Sequence, residues 1–543
     1  MARDVIAPSL RAEDSEPNKM DMMTQNTMGN VRLRHHETNE IILVPTPSND
    51  PNDPLNWPRW YKKAIASIVC VAMLWCNFLA AGPTVAIVQT TLDFFPDSPP
   101  TVDPVGFNKN IASVSYFFTT TALLQGVGNF LWVPIANKYG RRPTYIISYT
   151  IYLACAIWAI FDKSFGGFLA ARILMGFGAG AAETVAPITI SDVFFLHERG
   201  TVMALYTSFL SAGVAFGLII SGLITINNNW RVIYEVASAF IGLILLVAFF
   251  AFPETAFSRE KAIGTEAQTY NLQQLPSGVS DPLVDADAVK ASHLHTDLEH
   301  APNSQRYPKR KSYLQRLHIF SGTYTDEPLY KIFLRPLGLI CLPPVLWSAL
   351  VESVTIGFLV AVSSNVDSAF ESAYGFESWQ VGLCFIAACI GAAIGIPAGG
   401  QLGDLVADYL TRRNGGIRTP EMRLPAMIPS LITTPLALIL YGVGIEKKLH
   451  WICPTIGLGL PGEVTLAVMG FKSLFGFLLS FYTNPWIAAA GYQNAYGAMA
   501  GISASIIVLW VPLYLWGAKI RRASWEWPIM SAIHWNQDRE VGE

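Results

Sequence analysis

The sequence predicts an all-α membrane protein built from two bundles of spanning helices. The chain has 543 residues, of which 52% are hydrophobic and only 14% are charged. Soluble proteins carry about 25% charged residues on average, so a soluble chain of this length would lack the polar side chains to cover its domains. The apolar residues also form stretches long enough to cross a bilayer, in two groups that a long polar segment separates.

The first group contains six candidate spans, because about 20 mostly apolar residues cross the roughly 30 Å of hydrocarbon in a bilayer. They lie near residues 64–88, 111–135, 144–161, 166–190, 202–226 and 232–252. The second group contains at least five, near residues 337–362, 379–403, 425–445, 464–490 and 495–518. We therefore expect a polar tail over 1–63, a six-span bundle over 64–252, a central loop over 253–336, a second bundle over 337–518 and a tail over 519–543.

Basic residues in the short loops predict the orientation, since Lys and Arg concentrate in cytoplasmic loops. They occur before the first span, between the second and third, after the fourth and eighth, and after the last: Lys62, Lys63, Lys138, Arg141, Arg142, Arg199, Arg412, Arg413, Lys519 and Arg521. The alternate loops are poor in basic residues. In the segment 363–378, for example, all the charged residues are acidic. We expect both termini and the central loop to be cytoplasmic.

One helix of the second bundle is predicted to be truncated. The third long stretch of that bundle ends outside near Glu446, and the stretch that begins at Val464 must start inside. The segment 449–462 between them spans only about 21 Å as a helix, and an extended crossing would leave backbone groups unsatisfied in lipid. We expect either a re-entrant segment or a missing piece of about 20 to 40 residues near 459–463, which would complete a span and its loop.

Several function classes gain no support from the sequence. The formal net charge of −3 argues against a nucleic-acid partner. The seven cysteines lie in apolar stretches without CxxC spacing, which favours buried hydrophobes over disulfides or a metal site. Neither a phosphate-binding loop nor a G-x-S-x-G or H-E-x-x-H motif occurs. We therefore expect no cofactor, no metal and no enzyme activity.

Four motifs carry a resemblance to a known family. Asn137-Lys-Tyr-Gly-Arg-Arg142 follows the second span, and Gly400-Gln-Leu-Gly-Asp404 with Arg412-Arg413 occupies the equivalent place in the second half. Arg172-Ile-Leu-Met-Gly-Phe-Gly-Ala-Gly180 lies in the fourth span, and Asp53-Pro-Leu-Asn-Trp-Pro58 precedes the first. Together they resemble the major facilitator superfamily, in its fungal drug–proton antiporter branch, over roughly residues 53–523. The resemblance implies two six-helix bundles of major facilitator type that rock around a midplane cavity.

The loop motifs and the glycines have physical interpretations of their own. Charges in the loops can pair at one face of one conformer and act as a latch, or they can be a plain topology signal. The latch residues would be Asn137, Lys138, Arg141, Arg142, Asp404, Arg412 and Arg413. Glycines at regular spacing permit close helix contact, which we expect of Gly176, Gly178, Gly180, Gly213 and Gly217.

Ionisable groups inside spans are the candidates for function, because burying them in a membrane is costly. The resemblance implies a part in proton coupling for Arg172, although its position also allows it to snorkel to the outer interface. Glu183 lies deeper and is the candidate for a proton or substrate-cation site, against a structural carboxyl. Glu352 and Lys472 either line the cavity or pair with each other. Asn77 is a weaker polar candidate, and Asp192 and Glu235 are expected at the membrane interface.

Two departures from the family pattern affect the functional interpretation. The first loop motif has Asn137 where the pattern has Asp, so a latch there lacks that carboxylate. The fifth span keeps the spacing of the antiporter motif through Gly213, Gly217 and Gly222, but has Leu218 where the pattern has proline. The resemblance implies proton-coupled efflux of a hydrophobic or amphipathic small molecule by a plasma-membrane monomer. The alternatives are uptake of a small organic cation or nutrient, and a non-transporting sensor on the same scaffold.

Overall fold

A computed structural model describes residues 47–257, 310–459 and 486–525, together with Pro45, Thr483 and Trp527. Within these ranges the positions 49, 98, 100–102, 326, 415–418 and 488 are not described. The described residues form helices and no strand. Eight helical segments are long and apolar enough to cross a membrane, or nine if one bent pair counts as a span. The prediction of an all-α protein with many spans is confirmed.

The first bundle contains seven helices and two 3-10 turns. They are the turn Pro54–Asn56, α1 (Arg59–Ala81), the turn Gly82–Ala86, α2 (Ile87–Phe94), α3 (Pro104–Tyr139), α4 (Arg141–Phe161), α5 (Phe165–Val193), α6 (Leu196–Ile224) and α7 (Val232–Ala251). Side-chain caps start two of the helices: Asp103 accepts the Gly106 N–H before α3, and Ser164 accepts the Gly167 N–H before α5. Buried residues from α1 and from α3 to α7 form its core.

The second bundle is described in part. Its elements are α8 (Tyr313–Arg316), α9 (Leu329–Leu339), α10 (Pro343–Tyr374), α11 (Ser378–Cys384), α12 (Ile386–Arg413), a 3-10 turn (Pro420–Met427), α13 (Ile428–Glu446), α14 (Ile452–Gly459), α15 (Tyr492–Val508) and α16 (Trp510–Trp525). Residues of α10, α11, α13 and α15 form most of its core. Helices α9 and α10 meet at an angle of 80°.

Helix α3 is 36 residues long but is not among the eight apolar segments. Its buried side chains include Thr119, Thr121, Gln125 and Asn129, which lower its hydropathy. These groups are buried in the bundle, where Thr121, Gln125 and Asn129 have partners on neighbouring helices. The expected span at 111–135 therefore corresponds to a helix that contributes polar groups to the core.

The prediction of an outer loop over 363–378 is wrong for most of that segment. Helix α10 continues through it to Tyr374 and ends at Gly375, whose φ of +69° is the left-handed conformation that glycine adopts at helix ends. No glycine or proline interrupts the chain between Ser363 and that cap, so the helix has no reason to stop earlier. At its other end, the span that we expected from residue 337 starts at Pro343, after the bend.

The segment for which we expect a truncated helix is only partly described. Helix α14 has eight residues, which corresponds to about 12 Å along a helix axis. Residues 460–482 lie outside the described residues, as does most of the span expected at 464–490. The truncated span stays a prediction.

The two bundles meet at one end of the molecule, where α1, α6 and α10 each have their C-terminal end. We call this the outer end. Here α6 packs against α11 through glycines: a Cβ atom on Gly382 would lie 2.8 Å from the Leu218 carbonyl oxygen, and one on Gly222 would lie 3.1 Å from the Ser378 carbonyl oxygen. Val85 of the turn after α1 joins the core of the second bundle. We call this contact the outer junction. The opposite end, with the α3–α4 loop, is the inner end.

Candidate functional site

Arg172 lies on α5 and is fully buried. Its Nε donates to the Phe117 carbonyl of α3 at 3.0 Å, and its Nη1 donates to the Leu79 carbonyl of α1 at 3.2 Å. The guanidinium also lies over the rings of Phe118 and Tyr234, with the Cζ atom 5.3 Å and 5.7 Å from the ring centroids. The side chain thus joins helices inside the bundle and does not extend toward the outer interface.

The bond to Leu79 has a cause in the sequence. In a continuous helix the Leu79 carbonyl would accept the N–H of the residue four positions later, but that residue is Pro83, which has no N–H. The chain leaves the α-helical form here and enters the 3-10 turn Gly82–Ala86. Arg172 supplies the donor that Pro83 lacks. The residue therefore satisfies a backbone group that would otherwise be buried without a partner.

The glycines of α5 lie directly against two neighbouring helices. A Cβ atom on Gly176 would come within 2.3 Å of the Thr121 carbonyl oxygen, and one on Gly180 within 2.6 Å of the Gln125 carbonyl oxygen, both on α3. On the other side, a Cβ on Gly178 would lie 2.8 Å from the Tyr152 backbone nitrogen of α4. Helix α5 is thus positioned between α3 and α4 by backbone contact.

Close contact at α5 brings three polar groups together, which we call the polar cluster: Gln125, Asn129 and Thr184. Asn129 accepts a hydrogen bond from the Thr184 hydroxyl at 3.3 Å, and Gln125 Nε2 lies 4.0 Å from the Cys76 sulfur of α1. Glu183 is 3% exposed and lies about two thirds of the way along α5. A carboxyl group therefore lies inside the membrane-spanning part of the bundle, on a residue whose backbone carbonyl accepts the Tyr206 hydroxyl of α6 at 2.8 Å.

Asn77 lies near this cluster on α1, where its Nδ2 donates to the Met73 carbonyl at 3.2 Å. The remaining predicted packing glycines hold α6 against the same helix. A Cβ on Gly213 would lie 2.4 Å from the Leu74 carbonyl oxygen, and one on Gly217 would lie 2.8 Å from the Phe78 carbonyl oxygen. Helix α1 is therefore in backbone contact with α6 along the stretch that carries Asn77.

Glu352 lies in the second bundle, on α10, and is 3% exposed. It belongs to the same helix that reaches the 3-10 turn after α1 at the outer junction. Lys472, the group with which it was expected to pair or to share a cavity, lies outside the described residues. The two alternatives for this pair stay predictions.

The basic loop between α3 and α4 forms an ion pair at the inner end with a residue that lies outside the loop motif. Arg141 Nε lies 2.8 Å from Asp192 Oδ2, and its Nη2 donates to Oδ1 at 3.2 Å, so that the guanidinium binds the carboxylate with two bonds. Asp192 comes from the last turn of α5, close to the place expected from its position near a span end. The pair joins the start of α4 to the end of α5.

Glu254, just after α7, completes this inner-end network. Its carboxylate accepts the backbone N–H groups of Arg141 at 2.8 Å, Arg142 at 3.2 Å and Ala256 at 2.9 Å. Burial raises the pKa of this carboxyl, while the three backbone donors and Arg141 act in the opposite direction. Gly140, with φ of +108°, is required beside it, because a Cβ atom there would lie 2.2 Å from a carboxylate oxygen.

The other members of the predicted latch are placed less closely together. Arg142 is fully buried, and its guanidinium donates to the carbonyl groups of Ala248, Phe249 and Phe252 at the end of α7. Lys138 donates to the Glu327 carbonyl at 3.3 Å, near the end of the segment expected as the central loop. Arg412 and Arg413 are exposed at the end of α12, and Arg413 lies over the Tyr409 ring.

The side chain of Asp404 lies outside the described residues, and Asn137 takes part in none of the described side-chain bonds of this network. The carboxylates that surround Arg141 are Asp192 and Glu254. Sequence reasoning placed Asp192 at the interface and did not single out Glu254. A signal for Glu254 was present, because it directly follows a span on the side that carries Arg141 and Arg142.

Comparison with known proteins identifies the family. The sequence matches the Major Facilitator Superfamily over residues 64–471. The chain belongs to this family. It is therefore a multi-pass membrane transporter of the major facilitator type, and the resemblance drawn from its motifs is confirmed.

Relatives and solved structures agree with this assignment. An uncharacterized MFS-type transporter of Schizosaccharomyces pombe is 25% identical over 529 residues, which cover 89% of this chain and 88% of the relative. The Probable efflux pump mfs2 of Aspergillus flavus is 24% identical, with 78% of this chain and 98% of the relative covered. The proton:xylose symporter XylE of E. coli shares the fold with a TM-score of 0.51 at 12% identity, over 84% of this chain and 97% of XylE.

Proposed function

We propose that this major facilitator protein is a proton-coupled exporter of a hydrophobic or amphipathic small molecule, such as a drug, toxin or secondary metabolite. It works as a monomer in the plasma membrane, with both termini in the cytoplasm. The similarity to a fungal protein that is named a probable efflux pump supports the direction of transport. The basic residues at the inner end support the orientation.

The buried carboxyl of Glu183 carries the proposal. Ionisable groups inside membrane-spanning helices are costly to bury, and in transporters they mark proton relays and ion pathways. Glu183 is buried on α5, next in the chain to Thr184 of the polar cluster, and its neighbour on α6 is Tyr206. We assign it the binding and release of the coupling proton as the cavity opens to either side. Arg172 supports the site by holding α1, α3 and α5 in place, and Asn77 adds a buried polar group on α1.

Alternating access needs contacts that form in one state and break in another. At the inner end we assign this role to the contact between Lys138 and Glu327, which joins the first bundle to the segment that leads to the second. Arg141 and Arg142, with Asp192 and Glu254, hold the α3–α4 loop in place for it. Arg412, Arg413 and Asp404 are the corresponding group of the second bundle. The closely packed glycines Gly176, Gly178, Gly180, Gly213 and Gly217 keep each bundle rigid while the two bundles move.

The test replaces Glu183 with Gln in the full-length protein reconstituted in liposomes. Gln keeps the size and hydrogen bonding of the side chain but cannot release a proton, so transport driven by a pH gradient should fall at least tenfold. Binding-driven exchange of a fluorescent amphipathic substrate without a gradient should persist. The readout is the rate of substrate movement with and without the gradient.

Glu235→Gln is the matched control, because Glu235 is an exposed carboxyl at the start of α7. It should leave both rates unchanged. If the Glu183→Gln protein keeps its full response to the pH gradient, the proton role of this residue is wrong.

Uptake of a small organic cation is the second candidate, and the buried carboxyls Glu183 in the first bundle and Glu352 in the second favour it. Glu183 and Glu352 would then hold the positive charge of the substrate. In the same liposomes an organic cation would accumulate inward with the proton gradient, whereas a neutral amphipathic compound would not move. A folded protein that moves neither compound would favour the third alternative, a sensor.

A further inference from the structure

Basic and aromatic side chains gather at the inner end between α1 and α7. The start of α1 presents Arg59, Trp60 and Lys63, all exposed, with 71% of Trp60 accessible. The segment 310–328, which we call the strap, adds Arg310, Lys311 and Tyr313. These six residues form what we call the basic–aromatic patch.

Three contacts build the patch from separate parts of the chain. The Lys311 N–H donates to Asn52 Oδ1 at 2.8 Å, before α1. The Tyr313 hydroxyl donates to the Phe250 carbonyl in the last turn of α7. Arg316 lies close enough to Tyr61 of α1 to interact electrostatically with its hydroxyl. The strap is thus fixed to α1 and α7 by contacts that leave its basic side chains exposed.

The positive charge of the patch is not neutralised within the described part of the chain. None of the described ion pairs involves Arg59, Lys63, Arg310 or Lys311. Three nearby carboxylates have partners elsewhere: Asp53 is buried and accepts from Ser48 and Leu55, Asp50 accepts from Asn52, and Glu254 accepts backbone donors. A cluster of cations beside exposed aromatic rings at the end of membrane-spanning helices therefore faces outward.

We propose that the basic–aromatic patch binds the headgroups of anionic phospholipids, such as phosphatidylserine, in the leaflet next to it. Lys and Arg near a membrane surface attract anionic lipid, and Trp and Tyr prefer the headgroup level because their rings are amphipathic. Exposed Phe249 and Phe250 at the end of α7 supply apolar contact for the acyl chains. The orientation proposed above serves only to name this leaflet as the cytoplasmic one.

The patch has a consequence for the inner-end network, because the strap continues to it. The Tyr324 N–H donates to the Lys138 carbonyl at 3.0 Å, and Lys138 Nζ donates back to the Glu327 carbonyl. Lys138 lies three residues before Arg141 in the chain. Anionic lipid bound at the patch would hold the strap in place and so stabilise the arrangement around Arg141.

The test uses the full-length protein in liposomes that carry a phosphatidylserine analogue with a photoactivatable group in its headgroup. After illumination, mass spectrometry of the digested protein locates the adducts, which we expect on the peptides that contain residues 59–63 and 310–316. The double variant Arg310→Gln/Lys311→Gln should reduce these adducts about tenfold or more, since each basic group contributes severalfold to the affinity. The double variant Lys447→Gln/Lys448→Gln, at the opposite end, is the matched control and should keep them.

Three other outcomes would overturn the proposal. If a phosphatidylcholine analogue with the same photoactivatable group labels these peptides equally, the site does not recognise negative charge. If soluble glycerophosphoserine in millimolar excess removes the label, the site binds a free phosphate compound and not a lipid in the membrane. Unchanged labelling in the Arg310→Gln/Lys311→Gln protein would show that the lipid binds elsewhere. Labelling requires no transport, so failure here leaves the proposed export function untouched.

Discussion

At the scale of single residues, Arg172 and Pro83 act as one unit. Lysine at position 172 keeps the positive charge, but one ammonium group cannot donate to both the Phe117 and Leu79 carbonyls in the geometry of the guanidinium. We expect Arg172→Lys to destabilise the protein by about 1.5–3 kcal/mol, the net value of a hydrogen bond that involves a charged group. Unfolding of the purified protein in detergent, followed by heat or denaturant, measures this loss.

The double variant Pro83→Ala/Arg172→Lys provides the control. Alanine at 83 restores an N–H that can reach the Leu79 carbonyl, so the cost of Arg172→Lys should be smaller by about 1 kcal/mol when Pro83 is absent. Equal costs in the two backgrounds would mean that Arg172 does not replace the missing donor.

Arg172 was predictable as a special residue because an arginine inside a span is rare. Its partners were not predictable, since the proline that creates the need for a donor lies 89 positions earlier in the chain. The same holds for Arg141, whose carboxylate partners Asp192 and Glu254 come from the ends of two other helices. A sequence shows which groups are costly to bury, whereas only the packing of helices shows what satisfies them.

At the scale of elements, α5 offers a comparison within one helix. Gly176 lies against the α3 backbone, whereas nothing lies within 4 Å of a Cβ atom placed on Gly166. Gly176→Ala would force α3 and α5 apart, since the neighbouring atom belongs to backbone and cannot rotate away. We expect a loss of about 1–3 kcal/mol, as for other overpacked interiors. Thermal unfolding of the purified protein measures it.

Gly166→Ala is the matched variant on the same helix. It should leave stability unchanged or raise it by a few tenths of a kcal/mol, because alanine favours helix more than glycine does. If both substitutions cost the same, backbone contact at Gly176 does not position α5.

The helices were largely predictable from apolar stretches, and their ends were not. Helix α10 shows why, because hydropathy falls after Val362 while the helix continues to Gly375. Polar residues such as Asn365 and Asp367 remain buried there against neighbouring elements. A hydropathy profile measures affinity for lipid, whereas a helix ends where its backbone meets a residue that can turn the chain.

At the scale of the whole molecule, the outer junction holds the two bundles together through Gly382 and Leu218. A Cβ atom on Gly382 would lie 2.8 Å from the Leu218 carbonyl oxygen, closer than side-chain contacts allow. Gly382→Ala should therefore weaken closure at this end while leaving each bundle intact, and so shift the population toward states that are open there. This expectation follows because the contact lies between the bundles and not inside one.

A cysteine introduced at Thr84 reports on the junction, since Thr84 is 7% exposed in the turn after α1. With the native cysteines replaced, a water-soluble maleimide should label Thr84→Cys severalfold faster when Gly382→Ala is also present, because opening exposes this turn. Gly501→Ala is the matched control, as nothing lies within 4 Å of its Cβ position on α15. An unchanged labelling rate in the Gly382→Ala protein would show that closure does not depend on this contact, and equal acceleration by Gly501→Ala would show a general loosening of the second bundle.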